Sequence, residues 1–263
     1  MNLKLNGKSA LVTASSAGIG FDIAKALAAE GANVILTGRA QAKLDQAAGE
    51  IAEATGHKPR TVAADAATEE GAKALFAAVP TVDILLNNLG IYESKPFAEV
   101  TDDDWRHFFD VNVVGGVRLA RHYFQPMLDR NWGRVIFISS ESAFMVPATM
   151  IHYSVTKAAQ VTIARGLAEM TKGTGVTVNS VLPGPTRSEN IVDFLRSVSE
   201  HPEGTPEALE EEFFRRHRST SLLQRLIEGE EVANLVAYLA SPLASATNGA
   251  AVRVEGGLLP VVG

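Results

Sequence analysis

Apolar positions follow two alternating patterns along most of the chain. Short apolar runs at Ser9–Ala14, Asn33–Thr37, Thr61–Ala64 and Val82–Asn87 read as buried strands. Between them, apolar residues recur at helical spacing. Gly18–Glu30 places Ile23, Ala24, Leu27 and Ala28 on one face, a second helix reaches about Ala54, and a third covers Glu69–Val79. The pattern then predicts one long helix from Asp102 to about Arg130, a strand at Arg134–Ser139, a helix at His152–Met170, and strands at Val176–Val181 and Ala250–Val254. Strands alternating with helices predict a mainly parallel, seven-stranded α/β sheet with helices on both faces. Right-handed crossovers make such a sheet doubly wound. No linker or repeat divides residues 1–263, so a single domain is expected.

The alternation fails between Leu182 and Ala240, where Pro202, Gly204 and Pro206 separate short amphipathic stretches. This excursion follows the carboxyl end of a strand, where ligands bind in open sheets, so residues 188–226 are expected to form a substrate lid. Its Ile191, Val192, Phe194, Leu195, Phe213 and Phe214 suit an apolar pocket wall or a docking face. Phe144, Met145, Val146, Pro147 and Met150 are candidates for the same wall.

Composition narrows the function classes. With 46% hydrophobic and 21% charged residues, the chain can bury a sizeable core. The net charge of -6, without a basic run, excludes a nucleic-acid surface. The acidic Glu210, Glu211 and Glu212, followed by Arg215, Arg216 and Arg218, read as neighbouring turns of a solvated helix, with an anionic-substrate clamp as the alternative. The absence of cysteine excludes disulfides, thiolate catalysis and cysteine-based metal sites, and no metal is expected. Met1-Asn2-Leu3-Lys4 leads into a strand without a signal peptide, and no apolar run approaches the roughly 18 residues of a membrane span, so a cytoplasmic protein is expected.

Two turns suggest a dinucleotide. After the first strand, Ala14-Ser15-Ser16-Ala17-Gly18-Ile19-Gly20 would let a pyrophosphate approach backbone N–H groups at a helix N-terminus. The second strand ends Thr37-Gly38-Arg39, without the acidic residue that bonds a ribose 2'-hydroxyl. A guanidinium there can bind a 2'-phosphate, which favours NADP(H), with NAD(H) as the alternative. Asp65, after the third strand, could bond the adenine amino group or serve as a turn residue ahead of Thr68, a good N-cap.

Tyr153 and Lys157 lie four apart on one predicted helix face. A neighbouring Lys favours phenolate and lowers a Tyr pKa toward neutrality, making the Tyr a usable general acid and base. With Ser140 thirteen residues earlier, Asn112 in Val-Asn-Val, Asn87-Asn88-Leu89-Gly90, Pro183-Gly184 and Val254-Glu255-Gly256-Gly257, nearly the whole chain resembles the short-chain dehydrogenase/reductase family. The resemblance implies a Rossmann-like domain and a homotetramer or dimer. It implies that Tyr153 exchanges a proton with the substrate oxygen, that Ser140 orients that oxygen, and that Lys157 lowers the Tyr pKa and bonds the nicotinamide ribose. It also implies that Asn112 holds a water leading from Lys157. Asn88, Pro183 and Gly184 would border the cofactor, and Ser188 or Thr186 would bond its carboxamide. Ser139 competes with Ser140 by adjacency, but spacing favours Ser140.

The chain departs from the family at several positions. Ala14 replaces the first Gly of the turn and is expected to keep a negative φ. Ala17 replaces a basic residue, leaving NADP preference to Arg39 with Ser15 or Ser16. Leu89 replaces Ala and is expected to fill core, with narrowing of the space near the nicotinamide ribose as the alternative. Glu141 is read first as structural, with a pocket role as the alternative, and His152 as a packing or interface residue. The expected function is hydride transfer between a nicotinamide and a carbonyl or secondary alcohol carbon of a small molecule, a medium-sized apolar ketone or alcohol. A nucleotide-sensing regulator has no need of Ser140, Tyr153 and Lys157 together, and reduction of C=C or C=N suits them less well.

Overall fold

The computed structural model describes residues 2–261; Met1, on which the N-terminal reading begins, and residues 262–263 lie outside the described residues. The strands are β1 (Ser9–Val12), β2 (Asn33–Gly38), β3 (Arg60–Ala63), β4 (Ile84–Asn87), β5 (Gly133–Ile138), β6 (Val176–Pro183) and β7 (Ala251–Val254). They form one sheet in the order β3-β2-β1-β4-β5-β6-β7. Every pairing is parallel, so the sheet is not mainly but wholly parallel.

Burial on both faces explains the near-continuous apolar strands. Ala10 and Val12 of β1 join a core under α1 (Gly18–Ala29), α2 (Gln41–Thr55) and α9 (Gly229–Ala240). Leu11, between them, points to the opposite core under α3 (Glu69–Ala78), α5 (Gly115–Asp129) and α6 (Ile151–Glu169). The fold is the Rossmann-like α/β architecture expected. No helix among the described residues is long and apolar enough to cross a membrane.

The long helix expected from Asp102 is interrupted. Helix α4 (Asp102–Phe109) begins with a capping box between Thr101 and Asp104, and Asp110–Val114 then forms a π-turn before α5. The widened turn keeps the axis running, so hydrophobic spacing alone does not betray it.

After β6, α7 (Ile191–Val198) and α8 (Pro206–His217) pack on each other through Ile191, Leu195, Leu209, Phe213, Phe214 and Leu226. The acidic and basic cluster of α8 is not simply a solvated face. Glu212 is buried, accepting bonds from Ser199 Oγ at 2.5 Å, Glu200 N at 2.9 Å and Arg216 Nη1 at 2.8 Å. Arg218, just beyond the helix, is buried as well.

Candidate active site

Strand order reverses between β1 and β4, so their carboxyl ends flank a crevice. Asn88, directly after β4, spans it. Its Nδ2 donates to the carbonyls of Thr13 at 3.1 Å and Ala14 at 3.2 Å. A Cβ on Gly20 would collide with the Ala14 carbonyl and the Asn88 amide, so the turn can close over the start of α1 only with glycine there. Ala14 itself has φ +49, which overturns the expectation of a negative φ. The loop bends back sharply enough to force a left-handed residue.

The turn residues divide by role. Ser15 is fully buried, with its hydroxyl donating to Val12 O at 2.7 Å and accepting from Thr37 N at 3.1 Å. It ties the turn to β2, its hydroxyl bridging Val12 and Thr37. Ser16 Oγ lies near Gly38, one residue before the exposed Arg39. Gly18 opens α1, and Ala14, Ala17 and Ile19 face the crevice. Asp65 Oδ1 accepts from Ala67 N at 3.2 Å, a turn role, while Thr68 caps α3.

From this crevice a cavity of about 340 Å³ runs toward α7 and α8. Asn88, Ser140, Tyr153, Lys157, Pro183, Gly184, Thr186 and Ser188 all border it. Thr186 Oγ1 donates to Gly184 O at 2.8 Å. Ser139 Oγ is spent on the Lys157 carbonyl at 2.8 Å, whereas Ser140 caps a short turn, Glu141–Ala143. Ile91, Tyr92, Met150, Ile191, Phe194 and Phe213 supply the apolar wall. Phe144 and Val146 are exposed instead, and Leu195 and Phe214 serve the α7–α8 core. Leu89 is buried in the core beneath α5. His152 is buried against Phe108 and Trp105.

The electrostatics differ from the expected Tyr–Lys coupling. Burial and the Glu141 carboxylate push the Tyr153 phenol well above its ordinary value, opposed by a hydrogen bond with Ser140 and the charge of Arg218. Lys157 Nζ lies 5.7 Å from the Tyr153 ring centroid and donates instead to Ile138 O at 2.9 Å and Gln160 Oε1 at 3.3 Å. Burial lowers its pKa to about 8, against the pull of Glu141. The phenol is therefore held protonated, not drawn toward neutrality.

Asn112, in the π-turn, is fully engaged. Its side chain exchanges bonds with the Ile91 backbone at 2.8 and 3.0 Å and donates to Thr156 Oγ1 at 3.0 Å. Its carbonyl accepts from Gln160 Nε2 at 2.6 Å.

Tyr92 and Gln160, both at the site, were not singled out in the sequence, and Glu141 and Arg218 were read there chiefly as structural or solvated. Tyr92 follows the β4 loop, stacking edge-on with Phe194 at 5.9 Å. Gln160 lies one turn beyond Lys157, and a polar residue at that buried helical position was the available hint. Glu141 turns inward, contrary to the structural reading, because Arg218 meets it at 3.2 Å. Arg218 reaches the cavity from beyond α8, a contact no local pattern reveals.

A family model described as short chain dehydrogenase matches residues 8–197. Uncharacterized oxidoreductase YvaG of Bacillus subtilis is 48% identical over 262 residues, covering 98% of each chain. The 3-oxoacyl-acyl-carrier-protein reductase FabG of Aquifex aeolicus is 34% identical over 262 residues, covering 98% of this chain and all of its own. Among solved structures, L-sorbose reductase of Gluconobacter frateurii, complexed with NADPH and L-sorbose, superposes with a TM-score of 0.92 at 30% identity over 100% of both chains.

Proposed function

The chain belongs to the short chain dehydrogenase family and is an oxidoreductase; on that premise we propose that it uses NADP(H) to interconvert a carbonyl and a secondary alcohol, with Tyr153 carrying the proton. One observation carries this reading: Ser140, Tyr153 and Lys157 border a single cavity continuous with the small-residue turn at Ala14–Ile19.

The dinucleotide fits the residues present. Gly20 lets the turn after β1 pack closely over the start of α1, α1 presents its N-terminus there, and Gly90 leaves room beside Lys157 Nζ, where a Cβ would stand 3.1 Å away. Arg39 at the end of β2, with Ser16 beside it, supports NADP over NAD, as does the NADPH carried by the similar L-sorbose reductase. When bound, the nicotinamide supplies or accepts the hydride. Ser140, whose hydroxyl donates to Glu141 Oε2, would orient the reacting oxygen by turning that O–H toward it. Tyr153 would give a proton to the oxygen as it gains negative charge in reduction and take one back in oxidation. The Lys157 ammonium then stands near the phenolate left behind.

The test is a panel of ketones, oxo-esters and sugars with NADPH and NADH, followed at the nicotinamide absorbance. Consumption of NADPH with at least one carbonyl compound is expected; none with any of them would refute the reading.

A further inference from the structure

The cavity carries one charge pair that proton and hydride transfer do not require. Glu141 and Arg218 are 4% and 6% exposed, and both border the cavity. Glu141 Oε1 accepts from Arg218 Nη2 at 3.2 Å and from Ser142 Oγ at 3.3 Å, and Oε2 accepts from Ser140 Oγ at 2.5 Å. Arg218 Nη1 donates to His217 O at 2.9 Å, and the guanidinium lies 5.3 Å from the Phe213 ring centroid. Arg218 Nε is buried and has no partner.

A buried ion pair is a poor stabilising device, because desolvating both charges offsets their attraction. A buried guanidinium N–H left unbonded adds to that cost. The arrangement makes sense if a third group completes it. The pair is neutral as a unit, which selects the partner's charge. An anion drawn to Arg218 would meet the Glu141 carboxylate, and a cation drawn to Glu141 would meet the guanidinium. A neutral hydroxyl can accept from the guanidinium and donate to the carboxylate, and both residues border the cavity. Ser140 touches Glu141 directly, so the pair lies within reach of a hydroxyl on the carbon beside the one whose oxygen Ser140 would orient.

We propose that Glu141 and Arg218 form a specificity site for a hydroxyl on the carbon next to the reacting one, so that the substrates are α-hydroxy ketones and, in reverse, vicinal diols. This rests on the carbonyl–alcohol reading above and corrects the apolar substrate expected from sequence: the wall is apolar, with one polar anchor. A site built to hydrogen-bond a hydroxyl rejects the analogue lacking it, because its own buried groups are then left unpaired.

Three ketones of nearly equal size separate the outcomes: hydroxyacetone, butanone and pyruvate, which place a hydroxyl-, methyl- or carboxylate-bearing position beside the carbonyl. With NADPH, the wild type should prefer hydroxyacetone over butanone by at least ~10-fold in kcat/KM. Arg218→Met alone strands the Glu141 charge and costs stability, so the double variant Glu141→Gln/Arg218→Met carries the test. In it the preference should collapse to within about 2-fold. Equal use of butanone by the wild type, a preference for pyruvate, or a preference that survives in the double variant would overturn the proposal. A binding readout separates this from failure of the oxidoreductase reading. If no carbonyl is reduced but propylene glycol raises the Tm and sec-butanol does not, in the wild type only, the site stands and the reaction is wrong. If neither ketone is reduced and both alcohols act alike, the site is wrong.

Discussion

Gln160 holds Lys157 from behind. Its Oε1 accepts from Lys157 Nζ at 3.3 Å, while its Nε2 donates to the Asn112 carbonyl at 2.6 Å. All three residues are buried. The amide joins α6 to the π-turn and fixes the ammonium between Ile138 O and itself. A carboxamide is a fixed strut: it positions a charge without passing a proton along.

Gln160→Leu removes that strut. Loss of the bond to a buried carbonyl should cost ~1–3 kcal/mol of stability, read by denaturant unfolding. If the amide positions Lys157, kcat should drop ~10-fold, about 1.4 kcal/mol of barrier, while KM for the carbonyl substrate stays nearly constant. Unchanged kcat in a folded variant would make Gln160 purely structural.

The rate of carbonyl reduction should decline above pH about 8, where folded Lys157 loses its proton, while Tyr153 remains protonated. The sign for stability is opposite. The folded-state pKa is depressed from 10.5, so between about 8 and 10.5 the unfolded chain binds more protons and this group's contribution to stability rises with pH. Falling activity without falling Tm over that window is the expected signature, and a parallel loss of both would point to unfolding instead.

Tyr153→Phe should abolish turnover while NADPH binding, followed by fluorescence titration, stays within a few-fold of wild type. Activity near wild type would remove Tyr153 from the mechanism.

Arg39→Ala should raise KM for NADPH by ~10–100-fold, the worth of a charge-assisted bond to a phosphate, and KM for NADH far less. Equal effects on both cofactors would mean that Arg39 does not read the 2'-phosphate.

Ala14→Gly should stabilise the protein. Relief of a left-handed Ala, at ~1–2 kcal/mol, outweighs the ~0.5–1 kcal/mol entropic disadvantage of Gly, so a Tm increase of about 2 °C is expected by calorimetry. A decrease would show that the Ala methyl group packs usefully in the crevice.

What was legible in the sequence follows the range of the interaction. Strand and helix order came from local periodicity, since a parallel sheet covered on both faces imposes it at each element. Ser140, Tyr153 and Lys157, which border one cavity, could be picked out because their spacing resembles the family's; the Tyr–Lys helix pair alone would not have sufficed. The π-turn was hidden because it does not break the apolar spacing. The positive φ of Ala14 and the burial of Ser15 depend on Asn88 and Thr37, far along the chain. Arg218 looked like one basic residue among three until the fold set it beside Glu141. The direction of the Tyr153 shift could not be read from the Tyr–Lys spacing, because it depends on a carboxylate whose orientation that spacing does not set.

The Glu141–Arg218 contact joins positions 77 residues apart, one in the stretch that follows β5 and one beyond α8. Swapping the 184–228 segment for that of another family member would therefore separate a guanidinium from its counter-charge. Such a chimera would inherit a buried carboxylate beside Ser140 with nothing to neutralise it. Transplanting selectivity in this protein means moving two distant positions as one unit.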